Sequence, residues 1–222
     1  MFSLKYCSFL IVCVAFQISC SPTRLIKPLE KGEKALGGNL GGPIINFSGA
    51  PIPLPYTAAF FAKGITDKTS IYGGIHLTAL AFGVMQLEVG ACRQLWSNQN
   101  KTLGFSVSPA LHFALDRWDW KFRFWPQIDC QLYRTFANQS FIYAGVGNWF
   151  EPTRMRPHNE MQEKFWFMHP QFGYRWGKHK WNYGIESKWV GSGIANKPNV
   201  ADYIGIDGKG ALGVYFSIMK KF

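Results

Sequence analysis

Between residues 103 and 116 the chain alternates with period two (LGFSVSPALHFALD). Leu103, Phe105, Val107, Pro109, Leu111, Phe113 and Leu115 make one wholly apolar row. Gly104, Ser106, Ser108, Ala110, His112, Ala114 and Asp116 make a small or polar one. Successive strand side chains point to opposite faces, so this pattern predicts a strand with unlike faces. The next segment repeats it with shifted parity: Trp120, Phe122, Phe124, Pro126, Ile128, Cys130 and Leu132 against Lys121, Arg123, Trp125, Gln127, Asp129, Gln131 and Tyr133. Segments 165–176, 181–190 and 212–222 alternate in the same way. Weaker alternation marks 69–81, 85–95 and 140–150, where Phe141, Tyr143 and Trp149 form the aromatic row. Two Gly-rich segments, 33–46 and 54–63, bring the expected strands to ten.

The connections also alternate. Gly64–Lys68, Ser97–Lys101, Ala137–Gln139 and Gly177–Lys180 are short and rich in turn formers. Glu151–Lys164 and Val190–Ile206, at the other end of the strands, are long. Short turns on one rim and longer loops on the other, with an even strand count, predict an all-β, closed, antiparallel, up-and-down barrel.

Alternation alone does not say which face is inside, since a soluble lipocalin-like barrel would turn the same apolar rows inward; bulk favours the inverted arrangement. The apolar rows carry more Trp and Phe than a narrow bore can hold, whereas the polar rows set Gly, Ala and Ser between long charged residues. The polar rows are therefore expected to line the lumen. Trp120, Trp149, Trp166, Trp176, Trp181 and Trp189, at strand ends, are expected on the outside as interface girdles. The expected lumen network holds Glu88, Asp116, Asp129 and Glu186 against Lys121, Arg123, Arg175 and Lys188, joined by His76, His112 and His169. Buried charge is costly unless paired, so four anions balanced by four cations read as a filled lumen rather than a selective pore.

Composition sharpens this reading. Aromatics and charged residues each make up 17% of the 222 residues, an aromatic-rich and charge-poor balance for a water-soluble domain. The formal charge is +11, but Lys and Arg are scattered without a basic cluster, so no nucleic-acid partner is expected. Residues 1–19 read as a signal peptide: Lys5, then an unbroken apolar run from Phe9 to Phe16, too short to span a bilayer. Residues 20–30, with two prolines, read as a tether, and 31–222 as the barrel. Cys92 and Cys130 are far apart and fall on opposite faces of non-adjacent strands, so no bond between them is expected. No metal motif and no cofactor motif stands out. His158 and Glu160 fall in a loop, and GGNLGGP (37–43) lacks the Lys-Ser/Thr of a phosphate loop. Ser108 and His112 are four apart in a strand, roughly 13 Å, too far for a direct hydrogen bond.

Ser19-Cys20 after the apolar run resembles a lipoprotein processing site, which would make Cys20 the lipidated residue. The ending VYFSIMKKF, closing on Phe222, resembles the C-terminal strand signal of outer-membrane barrels. In leader, terminal strand and strand pattern the chain is similar to the bacterial outer-membrane β-barrel superfamily. The resemblance implies a transmembrane barrel, integral to the outer membrane. Membrane lipids and the barrel assembly machinery would be its partners, with Phe222 as the assembly signal; a monomer is expected. The leading function expected is a structural or interaction barrel with a filled lumen. The alternatives are an outer-membrane lipid-modifying enzyme, of lipid A acyl hydrolase or transferase type, and a narrow channel for small polar solutes.

Overall fold

The computed structural model describes residues 22–118, 120–155, 161–178, 180–196 and 202–222. The leader 1–19, Cys20, His158 and Glu160 lie outside the described residues. The elements are β1 (Lys34–Phe47), β2 (Ala50–Pro53), β3 (Tyr56–Thr66), β4 (Thr69–His76), α1 (Leu77–Ala81), β5 (Val84–Ser97), β6 (Leu103–Asp116), β7 (Phe122–Thr135), β8 (Phe141–Phe150), β9 (Trp166–Lys178), β10 (Trp181–Ala195) and β11 (Lys209–Lys221).

Every neighbouring pair is antiparallel, and β1 pairs with both β3 and β11, which closes a ring of ten strands. This is the expected barrel. β2 stands outside the ring; it pairs with the last four residues of β1 as a hairpin extension. Nine residue pairs, from Ala35↔Lys221 to Pro43↔Gly213, form the seam. The termini of the barrel and the short turns share one rim; the long connections share the other.

The polarity of the wall follows the alternation. Phe216, Phe172 and Leu36 are exposed on the outside, at 55%, 56% and 57%. Glu88, Glu186 and Lys188 are each only 2% exposed, inside. Trp118, Trp120 and Trp166 crowd the outer surface near one rim, and Trp96, Trp176 and Trp181 near the other. Cys92 points into the bore from β5 and Cys130 out of it from β7, with β6 between them.

Two local expectations need correction. The alternation through residue 81 ends at His76, and 77–81 is helical. Leu and Ala favour a helix over a strand there. Gly83, with φ of 82°, then accepts the left-handed turn that ends it. The parity of β8 is also reversed: Tyr143 and Trp149 are buried in the bore instead of facing outward. Trp149 therefore belongs to no outer girdle; it packs against Trp125 and stacks on His112.

Ring size explains the reversal. Tyr143 faces Gly173 directly across the β8–β9 ladder. The same pairing recurs as Phe60 with Gly37, Tyr72 with Gly90 and Tyr133 with Gly104. At each of these glycines an added Cβ would meet the facing ring. The inward glycines are the seats on which inward rings lie flat, a known way to hold a curved sheet. Substituting Gly173 by Val should cost about 1–3 kcal/mol through overlap with Tyr143. Urea unfolding of the reconstituted barrel, followed by tryptophan fluorescence, measures it.

Candidate functional site

The bore is not lined by the wall alone. Residues 22–30 run through it as an irregular strap that bends at Arg24, Ile26 and Lys27. Thr23 lies at mid-height, beside Asp129 of β7, Gln171 of β9 and Glu186 of β10. From there the strap descends toward the short-turn rim, where Lys31 N–H donates to Asp67 at 3.1 Å and Gly32 N–H to Gly64 at 2.9 Å. The stretch read as a tether thus occupies the lumen.

Each step of the strap has a partner on the wall. Arg175 Nη2 donates to the Thr23 carbonyl at 2.6 Å. Ser108 and Ser106 hydroxyls donate to the carbonyls of Leu25 and Ile26 at 3.3 and 2.6 Å, and Leu29 N–H donates to Ser70 at 2.8 Å. Leu25 and Leu29 pack with Phe60, Cys92 and Met219, and Ile26 with Tyr133 and Tyr143. Lys27 reaches Thr135 at 3.2 Å and lies over the rings of Tyr133 and Phe141. A segment that is neither helix nor paired strand has few backbone partners of its own. In a bore it must find them on the wall, because unpaired buried amides are costly.

Arg24 is the centre of the arrangement. Its Nε and Nη2 pair with the two carboxylate oxygens of Glu88, the latter at 3.0 Å, and its Nη1 donates to Asn39. The guanidinium also lies 5.6 Å over the Phe60 ring. A bidentate Arg–carboxylate pair is the strongest common ion-pair geometry.

The structure brings eight of the eleven expected network residues into the buried lumen: Glu88, Asp129, Arg175, Glu186, Lys188, His76, His112 and His169. They gather in groups, with Asp129 and Glu186 joined through Thr23. Glu88 meets His76 at 3.2 Å and His112 at 3.7 Å. Glu186 meets Lys188 at 3.4 Å and accepts from the Tyr143 hydroxyl at 2.6 Å. Asp129 accepts from Gln127 at 2.8 Å. His169 stands apart and accepts from Gly191 N–H at 2.8 Å. Asp116, Arg123 and Lys121 are not among the buried residues: the first two are partly exposed and Lys121 is exposed. They flank the β6–β7 turn, where Asp116 N–H meets the Lys121 carbonyl at 3.0 Å, so the strand ends lift them to the rim.

Balance is reached differently from the sequence expectation. Among the described residues the buried anions are Glu88, Asp129 and Glu186, and the buried cations are Arg175, Lys188 and Arg24. The wall alone is one cation short, and the strap supplies it. Sequence reasoning missed Arg24 because residues 20–30 contain no periodic pattern long enough to read. The available signal was the apolar trio Leu25, Ile26 and Leu29, too greasy for a solvated linker.

One group has metal-ligand chemistry. His76, Glu88 and His112 each offer a ligand atom, and the three atoms lie within 4.8 Å of one another. The three residues are 12 and 24 apart, a spacing of no metal motif, and only the register of β4, β5 and β6 assembles them.

No protein-family model matches the chain, and no curated protein does. Among solved structures it is similar to the translocator domain of the autotransporter NalP from Neisseria meningitidis, at 7% identity over 99% of this chain and 96% of that one, with a TM-score of 0.46. It is also similar to an outer membrane channel from Pseudomonas putida F1, at 8% identity over 91% and 100% of the two chains, with a TM-score of 0.49.

Proposed function

We propose that this chain is an integral outer-membrane barrel of structural or interaction type, closed by its own N-terminal strap. The observation that carries the reading is the inverted polarity of the wall. Aromatic and aliphatic side chains face out, and paired charges face in. Water would reward the opposite arrangement, whereas hydrocarbon rewards this one. A β-sheet exposed to lipid must have no free edge, and the β1–β11 seam leaves none in the ring.

The strap favours a filled barrel over the other two readings. A channel for small polar solutes needs a continuous wet path, and residues 22–30 lie along the bore. A lipid-modifying serine would need a free hydroxyl beside a histidine, and Ser106 and Ser108 are engaged by strap carbonyls. The parts left to meet a partner are the long connections between β8 and β9 and between β10 and β11. Phe222, 57% exposed at the end of the seam strand, is offered to the assembly machinery.

An acyl anchor on Cys20 fits this proposal only with the strap withdrawn. Cys20 stands three residues before Thr23, a reach of at most about 10 Å. From mid-height to either rim is roughly 20 Å of wall.

Planar-bilayer recording tests the closed reading. The full chain should give no resolvable steps, and a chain lacking residues 22–30 should give small, steady ones. Steady conductance by the full chain would hand the case to the channel. Recovery of the full chain in the soluble fraction rather than with outer membranes would remove the membrane reading itself.

A further inference from the structure

We propose that His76, Glu88 and His112 form a site for one divalent transition-metal ion of the zinc type, and that Arg24 of the strap competes with the ion for Glu88.

The donors suit such an ion. Two imidazoles and one carboxylate are a common three-ligand zinc set, with the fourth position left for water. Hard cations that demand six or more oxygens would find too few here. An ion about 2.0–2.1 Å from each ligand wants tetrahedral donors about 3.4 Å apart. The two imidazole nitrogens lie 3.2 and 3.7 Å from the same Glu88 oxygen, Oε2.

A second, independent observation points the same way. His112 is 3% exposed, and its Nδ1, the nitrogen that faces Glu88, has no hydrogen-bond partner. A buried ring nitrogen is usually satisfied. Stacking on Trp149, with ring centroids 5.7 Å apart, and edge contact with His76 hold the ring in place. Each donor also stands on a different strand of a closed sheet, so little movement is needed to close on an ion.

Arg24 makes the site conditional. Its Nη2 lies 3.0 Å from Glu88 Oε2, the oxygen both imidazoles face. An ion there displaces Nη2 and sets two positive charges beside a buried guanidinium. Metal binding and strap seating are therefore negatively coupled, and the coupling is reciprocal. Metal loosens the strap, and a strap without Arg24 leaves the site open.

The untagged full chain, folded in detergent micelles, is titrated with zinc chloride by calorimetry and with cobalt(II), whose visible absorbance reports tetrahedral ligation. Arg24→Gln should bind one zinc at least tenfold more tightly than the parent chain. In that background, His112→Ala or Glu88→Gln should weaken binding by 10- to 100-fold or more. Zinc should also speed tryptic cleavage of the parent chain after Arg24, since the Lys27–Pro28 bond resists trypsin. Retained gel mobility of the unheated protein shows that each variant is folded. A folded Arg24→Gln chain that binds no zinc, or whose binding survives His112→Ala, overturns the proposal. If Arg24→Gln does not fold, the parent chain decides. Millimolar cobalt giving tetrahedral absorbance that His112→Ala abolishes supports the site, and no such absorbance overturns it.

Discussion

Glu88→Ala should destabilise the folded barrel by about 3–5 kcal/mol, the usual consequence of stranding one member of a buried ion pair. Arg24 would lose its bidentate carboxylate, for which Asn39 and the Phe60 face are weak substitutes. His76 would lose its acceptor as well. The strap sets an upper limit on the loss. If leaving Arg24 in place costs more than the strap gains by binding, the strap withdraws. Truncating the other partner should therefore cost less. Arg24→Met leaves Glu88 with a hydrogen-bond partner, His76 at 3.2 Å. The double substitution of Arg24 and Glu88 by Met should recover much of the loss, because a buried pair replaced by apolar groups of similar volume is often neutral. A double-mutant cycle on urea midpoints in lipid vesicles reads this directly. Additive losses would mean that the two residues do not sense each other.

The second large effect is expected on the outer surface. Phe216 lies near the middle of β11 and faces Leu40 of β1 and Ile185 of β10 across the ladders, all three exposed. Phe216→Arg should destabilise the barrel in lipid by about 2–4 kcal/mol, the cost of a cation at the bilayer midplane. Trp181→Arg, near the rim, should cost about 0–1 kcal/mol. The contrast between the two positions is the test. In water, both changes would trade exposed apolar surface for charge and cost almost nothing. Equal, small effects at the two depths would therefore remove hydrocarbon as the solvent of this surface.

The strands were legible because one rule governs them all. Period-two alternation needs only local residue types, and β6 spans the whole of its apolar row, Leu103 to Leu115. The rule weakened at β8 because it ranks Tyr and Trp as greasy. In a narrow barrel their rings serve as fillers above glycines, as Tyr143 does over Gly173. The charged interior was legible in part for the same reason. Mid-strand residues such as Glu88 and Lys188 are held inside by parity, whereas Asp116 and Lys121, at strand ends, are free of it. Two things could not be read locally. The grouping of His76, Glu88 and His112 depends on the register of three strands. The seat of Arg24 depends on a segment without periodicity finding charge across the whole fold. Thr23 and Glu186, which meet in the bore, are 163 residues apart.

That last separation has a kinetic consequence. The earliest part of the barrel chain to be made makes its contacts with nearly the latest, and Glu33 at the foot of the strap meets Lys221 across 188 residues. Loops of that size close slowly, and contact order of this kind retards folding. Neutralisation comes in stages: Glu186 and Lys188 pair within one strand, whereas Glu88 gains its guanidinium only when the strap has entered. Hairpins can zip as they emerge, but the Arg24–Glu88 part of the ionic interior forms in a late step. The strap and the last strand must therefore both be present before Glu88 and Arg24, and Glu33 and Lys221, can all be paired.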